Sequence, residues 1–242
     1  WNDPKIAAAN PRLRLPALDI TVVARADSSG TTYAFTTHAA TISTAWEEQG
    51  LGVGKKAAWP STVVLADGNQ GVAARIKERP GSIGYVEYGT AKRAGLSVAA
   101  LENRAGKFVV PSPEAGAAAF NHSSYLGLGH LKSSILDPTG DGAYPIVSYS
   151  WLILRWEYPL AELRVVKEFV DYVLGDGQKL GLSLGYVPLP GSVAYRGKAV
   201  LTRIFQSDAP DSELDAADTG EIKQVPRPRS GKGVAHVADI AE

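Results

Sequence analysis

One pattern constrains this chain more than any other: a β-branched run hands over to a short polar loop and then to a helical stretch, and does so twice. Asp19-Ile20-Thr21-Val22-Val23-Ala24 reads as a strand, Arg25-Ala26-Asp27-Ser28-Ser29-Gly30-Thr31-Thr32 as the loop, and Tyr33 to Trp46 as the helix. The unit recurs as Val63-Val64-Leu65, then Asp67-Gly68-Asn69-Gln70-Gly71, then a helix over Val72 to Lys77 that Arg79-Pro80-Gly81 closes. Ser82 to Tyr88 reads as a further strand. Strands alternating with short helices predict an α/β domain whose helices flank a mixed sheet. With 242 residues, 45% of them hydrophobic, there is material for a core and for one or two domains.

Pro145 to Trp156 is too apolar for an edge and predicts a central strand. Leu160 to Leu174 carries apolar residues at 163, 166, 169, 170, 173 and 174, the spacing of a one-faced helix, with Gly175 as its stop. The tail is different in kind. Asp208 to Glu221 contains six carboxylates (Asp208, Asp211, Glu213, Asp215, Asp218, Glu221) and no base, and Lys223 to Lys232 contains four bases (Lys223, Arg227, Arg229, Lys232) and no acid. Such blocks, interleaved with Pro210, Pro226 and Pro228, predict a disordered or partner-bound segment. No internal repeat is found.

Lys+Arg and Asp+Glu are equal at 25 each, which argues against a coat for polyanions such as nucleic acid but leaves room for a small local anion site. Cysteine is absent, so disulfides, thiolate nucleophiles and Cys-ligated metals are excluded. Methionine is also absent, which predicts a processed product or a fragment numbered from an internal residue. The opening Trp1-Asn2-Asp3-Pro4-Lys5 is no leader peptide, and Ala143 to Trp156, broken by Ser148 and Ser150, is shorter than the ~20 apolar residues of a membrane helix. A soluble chain is expected.

Chemistry concentrates in the first loop. Ser28 to Thr32 puts hydroxyls and a glycine where a strand meets a helix, so backbone N–H groups and the positive end of a helix dipole face the same point. Arg25 offers a planar fork suited to a tetrahedral oxyanion. Asp27 is the discriminating residue, because a carboxylate in an anion site is unfavourable unless it orients the arginine or accepts a proton from the ligand. Protonated phosphate carries such a proton and sulfate at neutral pH does not, so this acceptor selects phosphate. Taken alone, a Ser-Gly-Thr run before a helix is most often a cap and nothing more.

The loop closely resembles the R-x-D-G-S-G-T-[ST] anion loop of the phosphate-binding proteins that serve bacterial ABC-type phosphate importers. Trp1-Asn2-Asp3-Pro4, Asn10-Pro11-x-Leu13-x-Leu15-Pro16, Trp59-Pro60, Gly68-Asn69-x-Gly71-Val72-Ala73, Pro80 to Tyr88, Ala143-Tyr144-Pro145-Ile146 and Leu184 to Pro190 resemble that family too, in its order and with similar spacing. The resemblance runs from residue 1 to about residue 205. It implies a periplasmic-binding-protein-like α/β fold with one lobe nearly complete and the other only partly present. Residues 1–147 would form the lobe with the anion loop, 148–205 a return strand and C-terminal helices of the other lobe, and 206–242 a charged docking tail. By the same resemblance Arg25 matches the ligand arginine, Asp27 the carboxylate acceptor, and Ser29, Gly30 and Thr31 the hydroxyl and backbone donors. Ser28 stands where the family carries Gly, which tightens the turn if that position requires φ > 0. The family's opening segment, with a second set of ligands, has no counterpart here, so the resemblance implies an N-terminal truncation and half a pocket.

The function implied is binding of inorganic phosphate for ABC-type uptake, without catalysis or cofactor, in a periplasmic or other extracytoplasmic compartment. The implied partners are the importer's membrane permease and a protein covering the missing half-lobe, and no nucleic acid. The alternative is a truncated receptor-like domain recruited as a non-catalytic structural subunit of a larger complex, membrane-associated or in an organelle lumen, with the tail as its docking arm. Other motifs carry less. Gly181-Leu182-Ser183-Leu184-Gly185 fits the G-x-S-x-G spacing but follows a helix where a hydrolase elbow needs a strand. His38, His122, His130 and His236 show no metal-ligand pairing, and Asp137 to Asp141 reads as a turn.

Overall fold

The computed structural model describes residues 1–121, 135, 137–207 and 235–241. Helix α1 (Pro4–Ala9) starts on Asp3, whose carboxylate accepts the Lys5 amide at 2.8 Å, with Pro4 in the first turn. Strand β1 (Thr21–Arg25) leads through the polar loop into α2 (Gly30–Ile42) and α3 (Thr44–Glu48). The single helix expected over Tyr33 to Trp46 thus begins earlier and is broken by Ser43, which is extended at φ −143°, ψ 114° and so cannot continue the turn. Strand β2 (Val64–Ala66), helix α4 (Gly68–Glu78) and strand β3 (Ser82–Gly84) follow. Only the first part of the strand expected over Ser82 to Tyr88 forms, because Glu87 becomes the N-cap of α5 (Tyr88–Ala94), which ends on the left-handed Gly95.

These three strands make a parallel sheet of order β2-β1-β3, in the registers Val23↔Val64 and Val22↔Ile83. The apolar run of β1 is in the middle, where Val23 and Ala24 are buried on opposite faces. Helix α4 covers one face at close range: a Cβ on Gly84 would lie 2.6 Å from Val23 O and 3.0 Å from the Ile76 side chain, so only glycine admits the helix there. Because the sheet is parallel, β1 and β2 end at the same edge, and the loops that follow them converge.

Beyond it come a hairpin of β4 (Leu101–Glu102) and β5 (Phe108–Val109), helix α6 (Pro113–Asn121), strands β6 (Tyr149–Leu154) and β7 (Glu157–Tyr158), helices α7 (Leu160–Val173), α8 (Gly177–Leu184) and α9 (Gly191–Val200), and strands β8 (Phe205–Gln206) and β9 (Ala235–Ala241). Antiparallel and parallel pairings therefore both occur, β4 with β5 and β6 with β9 being antiparallel and β7 with β8 parallel. Helix α7 spans the segment its spacing predicts, and its Leu163 and Val170 join Leu154, Tyr158, Leu174, Leu189, Val193 and Ile204 in one core cluster. A second cluster gathers Ala119, Phe120, Ile135, Ala143, Val147 and Val187.

Strand β6 departs from the expected central strand. Among the described residues it has one neighbour, β9, and Ile153 is 67% exposed. Its apolar content is explained by Leu154, Trp151 and Leu152 packing on the α7 cluster rather than by burial inside a sheet. Its partner comes from the end of the charged tail, which lies against its own chain from Tyr149↔Ala241 to Leu154↔Ala235. No helix among the described residues is long and apolar enough to cross a membrane.

Candidate functional site

The loop after β1 and the start of α4 meet at the C-terminal edge of the parallel sheet. Arg25, the last residue of β1, donates from Nε to Asp27 Oδ1 at 2.7 Å and from Nη2 to Asp27 Oδ2 at 2.6 Å, a fork-to-fork pair. Its Nη1 donates to Asn69 Oδ1 at 3.0 Å, and the Gly68 amide donates to Asp27 Oδ1 at 3.0 Å. The first turn of α4 therefore holds both members of the pair. The Arg25 guanidinium bond, then the Gly68 amide, hold the Asp27 carboxyl well below the usual carboxylate range, so it is an ionised, acceptor-only group at neutral pH. Arg25 is largely covered, with 10% of its side chain exposed, whereas Asp27 keeps 37%. The carboxylate is the accessible partner.

Ser29 caps α2 in extended backbone, and its Oγ accepts the Thr32 amide at 3.1 Å. Its own amide donates to Lys55 O at 2.9 Å, so that backbone donor, expected to face a ligand, is engaged within the chain. Gly30 and Thr31 occupy the first two helical positions, where N–H groups have no intrahelical acceptor. The cap is thus real, and it leaves two amides and the positive helix end at the loop. Ser28 does not take a positive φ; among the described residues the non-glycine residue that does is Asp137 (φ 40°), so the serine is tolerated without strain.

Tyr85 joins the two halves of the loop. Its hydroxyl accepts the Arg25 amide at 3.2 Å and lies 2.7 Å from Thr32 Oγ1, which is fully buried. The ring stacks on Phe35 at 4.6 Å, and Trp46 and Trp59 complete an aromatic cluster behind it. The loop residues themselves are legible in the sequence; Gly68, Asn69 and Tyr85 lie 41, 44 and 60 positions away from their partners and stand out in the sequence only inside family-like motifs, with no site role attached. The convergence of loops after parallel β1 and β2 is the physical signal that brings Gly68 and Asn69 to the site.

The other candidates resolve locally. Ser183 lies in the last turn of α8 and donates to Leu180 O at 2.7 Å, as a helix-end serine rather than a nucleophile. His38 is buried in α2, and burial lowers its pKa. Among the described residues no group of three His, Asp or Glu is placed to hold a metal; His122 and His130 lie outside them.

Residues 1–177 match the family described as a PBP superfamily domain. The chain is 38% identical over 194 residues to the phosphate-binding protein PstS of Haemophilus influenzae, covering 80% of this chain and 58% of that protein. It is 39% identical over 216 residues to PstS of Methanocaldococcus jannaschii, covering 81% and 55%. It thus spans little more than half the length of these relatives. A solved high affinity periplasmic phosphate-binding protein, bound with phosphate, superposes with a TM-score of 0.54 at 19% identity, covering 74% of this chain and 57% of the other, a likeness of fold. The parallel sheet, the converging loops and the match over residues 1–177 place this chain in the PBP superfamily.

Proposed function

We propose that the chain binds inorganic phosphate at the loop of Arg25, Asp27, Ser29, Gly30 and Thr31, as part of the receptor of an ABC-type phosphate importer in an extracytoplasmic compartment. The observation that carries the reading is the ionised, partly exposed Asp27 carboxylate held by Arg25 beside the N-terminus of α2. An anion site that keeps a carboxylate at its mouth suits a ligand with a proton to donate. Three bonds from Arg25 and Gly68 leave acceptor capacity on a group with about four lone-pair sites, and a phosphate O–H fits it. The Gly30 and Thr31 amides and the Thr31 hydroxyl supply donors to the unprotonated oxygens.

The names of the relatives support phosphate as the ligand. On this reading residues 1–147 form the ligand-holding lobe, 148–205 belong to the other lobe, and within 206–242 the charged stretch ahead of β9 is the docking segment, β9 itself being paired with β6. A further protein segment then faces Arg25 to complete the grip, and the importer's permease receives the loaded receptor. Binding of this kind makes and breaks no covalent bond, so no catalytic role is assigned.

Calorimetric titration of the 242-residue chain with phosphate and with sulfate at neutral pH tests the proposal. Heat is expected from phosphate and none from sulfate, and Asp27→Asn should narrow that preference by removing the carboxylate whose remaining lone pairs find no proton on sulfate. No heat from phosphate, or equal affinity for both anions in the unaltered protein, refutes it.

A further inference from the structure

The segment Gly52 to Lys56 is sewn to α2, which begins at the loop, and to α3, which follows it. Gly52 O accepts Trp46 Nε1 at 2.8 Å, Gly54 N donates to Thr36 Oγ1 at 3.2 Å, and Lys55 O accepts the Ser29 amide at 2.9 Å. This fixes Lys55 against the N-cap of α2, with Lys56 next in the chain, and both are exposed. Among the described residues no carboxylate lies within ion-pair distance of either ammonium. With its backbone at hydrogen-bond distance from Ser29, Lys55 roots its side chain beside the N-terminus of α2, and the reach of its charge is set by screening, a Debye length of ~10 Å at 0.1 M ionic strength.

The charge around the loop gives these lysines something to do. Arg25 is set against Asp27, and the first turn of α2 carries no acid. Asp67, the exposed N-cap of α4, makes no side-chain bond to its helix and adds a carboxylate beside Gly68; Glu87 is buried, bonded to Thr90 and 3.9 Å from Arg93. Without the lysines the side chains bordering the loop would be net negative and would repel an incoming anion. Two ammoniums carried on a backbone held beside the loop reverse that sign.

Resting on the phosphate reading above, we infer that Lys55 and Lys56 steer the anion to the loop, setting the association rate rather than the bound contacts. Steering of this kind raises on-rates and fades as salt screens it. The test is stopped-flow association of phosphate with the full chain and with the double variant Lys55→Gln/Lys56→Gln across ionic strength, followed by the fluorescence of the tryptophans beside the loop. The variant should associate about three- to tenfold more slowly at low ionic strength, converge on the unaltered protein near ~0.5 M salt, and dissociate at the same rate. Lys55→Arg/Lys56→Arg, which keeps the charges, should restore the rate. An unchanged association rate and salt slope, or an effect confined to dissociation, overturns the steering role while leaving phosphate binding intact. No phosphate binding by the unaltered chain overturns both.

Discussion

At the scale of single residues, Tyr85 has the most to lose. Its hydroxyl accepts from the Arg25 amide and meets the buried Thr32 hydroxyl, so Tyr85→Phe keeps the stack on Phe35 and strands two polar groups. An unsatisfied buried partner costs about 1–3 kcal/mol, and urea denaturation of Tyr85→Phe should show a loss in that range together with weaker phosphate binding. His38 sets a different dependence. Burial lowers its pKa from the ordinary 6.5, with Asp137 opposing in part, and its Nδ1 has no partner. The folded state therefore resists a proton that the unfolded state accepts, so stability is level at higher pH and declines as pH falls below 6.5. Denaturation midpoints followed from about pH 7 to 5 should fall less in His38→Gln than in the unaltered chain; parallel curves would remove His38 as the source. Asp27 works the same way further down, its pairing with Arg25 being lost as acid protonates it.

Elements were legible where local chemistry and packing agree. The β-branched run of β1, the strand β2 and the one-faced spacing of α7 form close to where their patterns place them, while α4 begins at Gly68, four residues before the Val72 start its pattern predicts, because Asp67 serves as its N-cap. Ser29, Gly30 and Thr31 were legible for the same reason, since a cap is encoded within a few residues. Three elements depart from their patterns, each through a long-range or backbone effect. Glu87 ends the β3 run by starting a helix, Ser43 divides α2 from α3, and Pro145 to Trp156 reads as a central strand because its apolar side chains serve a helix cluster. The turn expected over Asp137 to Asp141 closes later, from Gly140 to Ala143, where it is pinned from outside by the buried Asn103. That side chain donates from Nδ2 to the carbonyls of Gly140 and Ala143 at 3.0 and 3.1 Å. Nothing in a one-dimensional pattern reports a bond across 37 residues.

On the scale of the whole molecule, the tail matters because its end is structural. Strand β9 pairs with β6 over six registered positions, from Tyr149↔Ala241 to Leu154↔Ala235, and among the described residues it is the neighbour that covers that edge. A long apolar strand with unpaired N–H and C=O groups is a template for another chain. Deleting residues 208–242 bares the β6 edge while leaving the β2-β1-β3 sheet and the loop at its C-terminal edge untouched. The shortened chain should melt at a lower temperature and self-associate with rising concentration, by light scattering, while its affinity for phosphate stays within about twofold, a difference under ~0.5 kcal/mol. If the shortened chain remained monomeric with its melting temperature unchanged, β9 would not be protecting β6. If phosphate affinity collapsed instead, the tail would have to act on the loop directly, and the independence of the parallel sheet from the β6–β9 pair would fail.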